Sequence, residues 1–138
     1  MSEDKVTLRR VSDAIEAILA EEIPGVEWKQ STLGAVFPKT LTGFICCDEI
    51  LYEPQTKMNR VTTAYFIIEI ICPNPVREVA DQEIEDIAAK VREVLESNAT
   101  LDGWAEQSNV NRIQFGTPAG NQTIGAALME LEVKFIEE

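Results

Sequence analysis

The sequence contains no histidine. That removes the side chain that titrates nearest neutrality, the commonest metal ligand, and every Ser-His or Cys-His nucleophile pair. Cysteine is scarce and odd in number, with three in the chain. Such usage fits a reducing compartment rather than a framework of bridges. Cys46 and Cys47 are adjacent on a predicted strand, so their side chains point to opposite faces. Cys72 stands apart, and zinc ligation asks for C-x-x-C spacing and four ligands. The thiols read as buried, inert small hydrophobes.

Basic residues are few: 12 Lys plus Arg stand against 24 Asp plus Glu, a formal net charge of −12. Duplex affinity comes largely from Lys and Arg neutralising phosphates, so the balance argues against a nucleic-acid-binding surface. It argues equally against docking on an anionic membrane. Long apolar runs are missing too. The longest, Ala64 to Cys72, is interrupted by Glu69 and is far too short to span a bilayer. No apolar stretch follows the polar Met1 to Arg10, so a signal peptide is not expected. On that reading the sequons at Asn98 and Asn121 are chance matches. Neither G-x-x-x-x-G-K-[ST] nor G-x-G-x-x-G occurs. The loop Gly116 to Gly125 is rich in glycine, but it lies between predicted strands. A phosphate-cradling loop needs a helix N-terminus behind it.

What is present is an ordinary globular pattern. Hydrophobic residues make up 45% of the 138 positions and charged residues 26%. A chain of about this size buries roughly 68–70% of its unfolded surface, enough for one core. A single domain over residues 1–138 is expected. Leu8, Val11, Ile15 and Ile18 recur at helical spacing, which predicts a helix over about 5–22, capped by Asp4 and ended by Pro24-Gly25. Val26 to Lys29 reads as a short extended piece. Ser31 to Thr42 reads as loop, and Phe44 to Tyr52 as a strand. The polar segment Glu53 to Arg60 reads as a hairpin loop.

Val61 to Cys72 is the clearest strand. Ala64, Phe66, Ile68, Ile70 and Cys72 share one wholly apolar face, which should meet the core. Val61, Thr63, Tyr65, Ile67, Glu69 and Ile71 share the other, mixed face, suited to contact with another subunit or a covering loop. Pro73-Asn74-Pro75 stops the strand. A second helix is expected from an N-cap at Asp81 to about Ser97, with a stripe of Ile84, Ile87, Ala88, Val91, Val94 and Leu95. Leu101 to Trp104 reads as loop. Val110 to Phe115 and Ala127 to Ile136 read as half-buried strands. The economical packing is an α+β fold: an antiparallel or mixed sheet of four to five strands, with both helices on one face.

The chemistry-bearing residues are mostly acids. Asp48, Glu49 and Glu69 lie on adjacent predicted strands, where a carboxylate pair would suit acid–base chemistry. With 24 acids in the chain, such proximity is expected by chance, and solvated faces are the simpler reading. Trp28, Tyr52, Tyr65 and Trp104 suit either half-buried packing or interface anchors.

The order and spacing of these pieces carry a resemblance. The N-terminal helix ends in Ile23-Pro24-Gly25-Val26. The strand Tyr65-Phe66-Ile67-Ile68-Glu69-Ile70-Ile71 leads into a helix of the form D-x-x-I-x-x-I-A-x-x-V-x-x-x-L from Asp81. Thr100-Leu101-Asp102-Gly103-Trp104 follows, and the final strand closes on Leu131-Glu132-Val133-Lys134-Phe135. Across almost the whole chain this pattern resembles the tail terminator, or minor tail, proteins of long-tailed bacteriophages and related prophage tail-completion proteins. The resemblance implies a small α+β structural protein, with no catalytic residue, metal or cofactor. It implies a homo-oligomeric ring, six-fold, that ends the tail tube and joins it to the head. The partners implied are copies of itself and tail-tube and head-joining proteins. The implied location is the virion tail, reached from the host cytoplasm during assembly. Gln55, Lys57, Met58, Arg60, Tyr65, Ile67 and Trp104 are the candidate contacts with a neighbouring subunit or the tube.

Two alternatives come from other classes. A stand-alone ligand-binding or regulatory module would be a concentration-independent monomer with a pocket between sheet and helices. A small carboxylate enzyme would gather Asp48, Glu49 and Glu69 in a deep polar cleft. The charge balance generates one prediction directly. The free protein should show no duplex DNA affinity at physiological salt, and a salt-sensitive micromolar complex in an anisotropy titration would contradict it.

Overall fold

The computed structural model describes residues 6–32, 34, 38–53, 60–74, 76–116 and 125–137. Helix α1 is Leu8–Glu22, followed by strands β1 (Glu27–Lys29), β2 (Thr42–Tyr52) and β3 (Arg60–Cys72). Helix α2 is Arg77–Glu96, and strands β4 (Gln107–Gly116) and β5 (Gly125–Glu137) complete the order. The five strands form one mixed sheet in the order β1-β2-β3-β5-β4. β1 runs parallel to β2, and the remaining pairs are antiparallel.

β3 is the centre of the sheet because it is the longest uninterrupted run of strand formers, and it pairs along both edges. Its inner face, Ala64, Phe66, Ile68, Ile70 and Cys72, is buried, as the alternation anticipates. On β5 the inner face is Ala127, Met129, Leu131, Val133 and Phe135. Both helices lie on this side. Val11, Ile15 and Leu19 of α1 and Ile84, Ala88, Val91 and Leu95 of α2 join the same apolar cluster. Ile87, expected in the core, packs against its margin.

Two helix starts differ from the sequence reading. α1 is capped by Thr7, whose hydroxyl accepts from the Arg10 amide at 3.2 Å, while Asp4 lies outside the described residues. α2 begins four residues before Asp81, at Arg77, and has no side-chain cap. Instead the Asn74 side chain accepts from the Val76 amide at 2.9 Å. Buried Ala80 extends the apolar stripe backwards, so packing overrides the capping signal at Asp81.

Two β-bulges re-aim side chains. Asp48 is the extra residue between Cys47 and Glu49 on β2. Asn111 plays the same part between Val110 and Arg112 on β4. Simple alternation placed Val110 with Arg112 and Gln114. The bulge instead places Val110 on the inner side with Ile113, where both pack against the core. β4 also starts earlier than expected, at Gln107. Its polar start is held by buried Ser108, whose hydroxyl donates to the Ala99 carbonyl at 2.8 Å.

At the other edge, Trp28 is buried rather than half-exposed and lies over Gly43. A Cβ at Gly43 would stand 2.3 Å from the indole ring, so this close approach requires glycine. The indole N–H donates to the Ile23 carbonyl at 3.1 Å, which ties the end of α1 to β1.

Ile68 and Leu131 are wholly buried on adjacent central strands. Replacing either by Ala should destabilise the protein by about 2–5 kcal/mol. Urea denaturation checks this, and a loss below about 0.5 kcal/mol at both sites would contradict the packing described.

Candidate interaction surface

With both helices on the inner side, the outer side of the sheet carries the other half of every strand. The strand registers fix its rows. Lys29, Phe44, Glu69, Leu128 and Gln114 form one, and Cys46, Ile67, Glu130 and Arg112 the next. Then come Glu49, Tyr65, Glu132 and Asn109, followed by Leu51, Thr63, Lys134 and Gln107. Among the described residues, no helix packs on this side. At one end Phe44, Ile71 and Ala126 form a small buried cluster of their own. Tyr65, Ile67, Cys46 and Leu128 are half-buried.

Among the described residues, the carboxylates of this face are not neutralised in ion pairs. The Asn111 amide donates to Glu132 at 3.0 Å and to Glu130 at 3.4 Å, a neutral donor between two negative charges. Burial pushes the Tyr65 phenol above its ordinary pKa, and the charges of Glu132, Glu130 and Glu49 push it further. Burial likewise raises the Glu69 carboxyl.

The candidate contact residues fall in separate places. Tyr65 and Ile67 are adjacent on the outer face of β3. Trp104 lies on the helix side, half-buried against the core cluster, with the Arg10 guanidinium 5.0 Å from its ring. It follows a turn in which Leu101, Asp102 and Gly103 all have positive φ (50°, 59° and 92°). Burial of the Leu101 side chain and the Asn98 side chain, which accepts from the Asp102 amide at 3.0 Å, hold this costly conformation. Gln55, Lys57 and Met58 lie outside the described residues. Arg60 is the first residue of β3.

The carboxylate-enzyme geometry does not form. Glu49 and Glu69 share the outer face but stand two rows apart, about 13 Å along the strands. Asp48 is an exposed bulge residue. Among the described residues, no group of three or more His, Cys, Asp or Glu side chains is placed to hold a metal ion. The three thiols are free, but only Cys72 is buried; Cys46 and Cys47 are half-exposed, because they sit on a strand near the sheet edge. The Cys72 thiol donates to Glu83 at 3.3 Å, and burial together with that carboxylate pushes its pKa up to about 12, so it stays a thiol at neutral pH. No helix among the described residues is long and apolar enough to cross a membrane. The grooves beside the helices are open. One between α1 and the end of α2, lined by Glu21, Glu22, Asn98 and Asp102 among others, is polar and acidic.

Sequence reasoning named Tyr65 and Ile67 but missed Glu49, Glu130 and Glu132 as their neighbours. The alternation of Glu130, Glu132 and Lys134 along the last strand was the available signal. The strand order that brings them beside Tyr65 was not readable.

No protein-family model matches the sequence, and no curated protein matches it. Among solved structures, the chain is similar to a chain of the virion of a native gene transfer agent (GTA) particle. The identity is 10% and the TM-score 0.46, over 93% of this chain and 92% of that one.

The raised Glu69 pKa gives a signed prediction. A carboxyl whose folded pKa lies above its unfolded value favours folding at low pH, and that contribution is lost as pH rises through the folded pKa. Glu69→Gln should therefore raise the urea midpoint at pH 7, and the gain should vanish on acidification towards pH 4. An equal gain at both pH values, or a loss at pH 7, would contradict the assignment.

Proposed function

We propose that the protein is a structural component of a phage or prophage particle. Within it, the protein acts as a tail terminator: a six-fold homo-oligomeric ring that ends the tail tube and joins tail to head. The observation that carries the reading is the one-sided architecture, in which five strands share two helices on a single face. A small stand-alone protein gains nothing from leaving Tyr65, Ile67, Cys46 and Leu128 without a helix above them. An assembly part uses such a face for its neighbours.

Other features support the same reading. The order and spacing of elements resemble the tail-completion family across almost the whole chain. β4 is an edge strand of ten residues, and Phe115 near its end is 54% exposed. A closed ring needs a heterologous interface, in which different surfaces of successive copies meet. The two sheet edges, β4 with its apolar end and the short β1, supply two different surfaces and leave the uncovered face for the other proteins of the particle. A net charge of −12 suits a lumen through which DNA must pass without sticking. The ring closes on the tube that it caps, so a monomer in dilute solution is compatible with the proposal. The polar segment Glu53 to Arg60, most of which lies outside the described residues, is the candidate contact with a neighbouring copy or with the tube.

Growing tail tubes, imaged by electron microscopy with and without the protein, test this function. Tubes of uniform length bearing extra density at one end are the expected result. Unchecked lengthening with bare ends overturns the terminator role.

A further inference from the structure

The outer face has a chemistry that selects its partner. Across β2, β3 and β5, Glu49, Tyr65 and Glu132 form one row, with Tyr65 in the middle. Neighbouring strands are about 4.8 Å apart, so the two glutamates start from backbone positions roughly 10 Å apart. The next row sets Ile67 between Cys46 and Glu130, which adds an apolar floor and a third carboxylate. We infer that this face docks a basic protein surface, one that presents an arginine beside the Tyr65 ring and between Glu49 and Glu132.

The reasons are geometric and electrostatic. A planar guanidinium pairs with carboxylates through fixed, parallel N–H bonds and stacks on aromatic rings, whereas an ammonium is a compact point charge. An aromatic side chain flanked by two acids offers both interactions at once. The platform is rigid, because Tyr65 and Glu132 are register partners on the two central strands, each paired along both edges. Among the described residues, the cations of the same face, Lys29, Arg112 and Lys134, leave the carboxylates in excess: Lys29 lies two rows away beside Phe44, Arg112 shares a row with Glu130 on the edge strand, and Lys134 lies one row beyond Glu132. A second copy docked face to face is disfavoured, since it would bring its own Glu49, Glu130 and Glu132 against these. The chain as a whole carries −12. The partner is therefore a different, basic protein rather than a second copy of this chain. This deepens the assembly reading by giving the partner's chemistry, but it stands on the face alone.

The test uses the full-length protein, labelled with nitrogen-15. It is titrated with a capped peptide of alternating arginine and alanine, Arg-Ala-Arg-Ala-Arg, at low ionic strength. The expected shifts concentrate on the amides of residues 65, 67, 130 and 132. The double variant Glu49→Gln/Glu132→Gln should weaken binding about fivefold or more. The control Glu78→Gln/Glu93→Gln removes the same charge from α2 and should weaken it less than about twofold. Both pairs replace surface acids by isosteric amides, and unchanged amide spectra outside the substituted sites verify the fold. Shifts scattered over the whole acidic surface, or equal weakening by the two pairs, overturn the inference. So do concentration-dependent shifts at residues 65 and 67 without peptide, which would make a second copy the occupant. No tail enters this titration, so its failure and that of the terminator role are distinguishable.

Discussion

The structure depends on the two unequal faces of β3. From Ala64 to Cys72 its inner residues are all apolar, with buried Thr62 at the margin, and both of its edges are paired. Every other element is positioned by the need to cover that inner face. α1 and α2 pack over it, and β2 and β5 extend it sideways. A one-residue slip in either pairing would exchange Phe66, Ile68 and Ile70 for Tyr65, Ile67 and Glu69. The register is therefore fixed by hydrophobic burial, and the composition of the outer face follows from it. The Glu49, Tyr65 and Glu132 row exists because the opposite face must be dry.

That coupling explains why an acidic, half-apolar surface persists on the uncovered side. Acids there keep a sheet that lacks a covering helix from self-pairing face to face, through like-charge repulsion. The same acids raise the Tyr65 phenol, a sign that the patch carries net negative potential. Solubility in the free state and selection of a basic partner in the bound state arise from one set of residues. The bulge at Asn111 adds a second safeguard, because it interrupts the ladder on the β4 edge.

The fold class and the core were legible because burial leaves a periodic trace. Val11, Ile15, Ile68, Val91, Leu131 and Val133 all announce their faces through spacing alone. What was not legible has physical reasons. A bulge shifts the period by one residue without any compositional mark, so plain alternation groups Val110 with Arg112 and Gln114 although it packs inward. The start of β4 is polar because Ser108 satisfies its hydroxyl on Ala99, a contact set by the turn before it. α2 begins at Arg77 because Ala80 packs beneath Gly125, and only the assembled sheet supplies that neighbour. The interface candidates were read on single segments. Tyr65 and Ile67 share a surface, whereas Trp104 belongs to the helix side beside Arg10. Residues brought together by strand order, Glu49, Glu130 and Glu132 among them, could not be grouped before that order was known.

The position of β5 has a kinetic consequence. It follows β4 in the chain, yet it lies between β3 and β4 in the sheet. β3 and β4 therefore never touch as partners, and until the β4–β5 pair docks, β3 keeps one open edge. Antiparallel neighbours joined by a hairpin could zip locally, but Arg60 must find Glu137 across the whole of α2 and β4. The closing step brings together segments far apart in sequence, which makes the sheet slow to complete. During that interval β3 presents one unpaired edge and an inner face that β5 does not yet extend. The matching strand of another copy would fit the same edge, which makes this pairing the place where an exchange of strands between copies could occur.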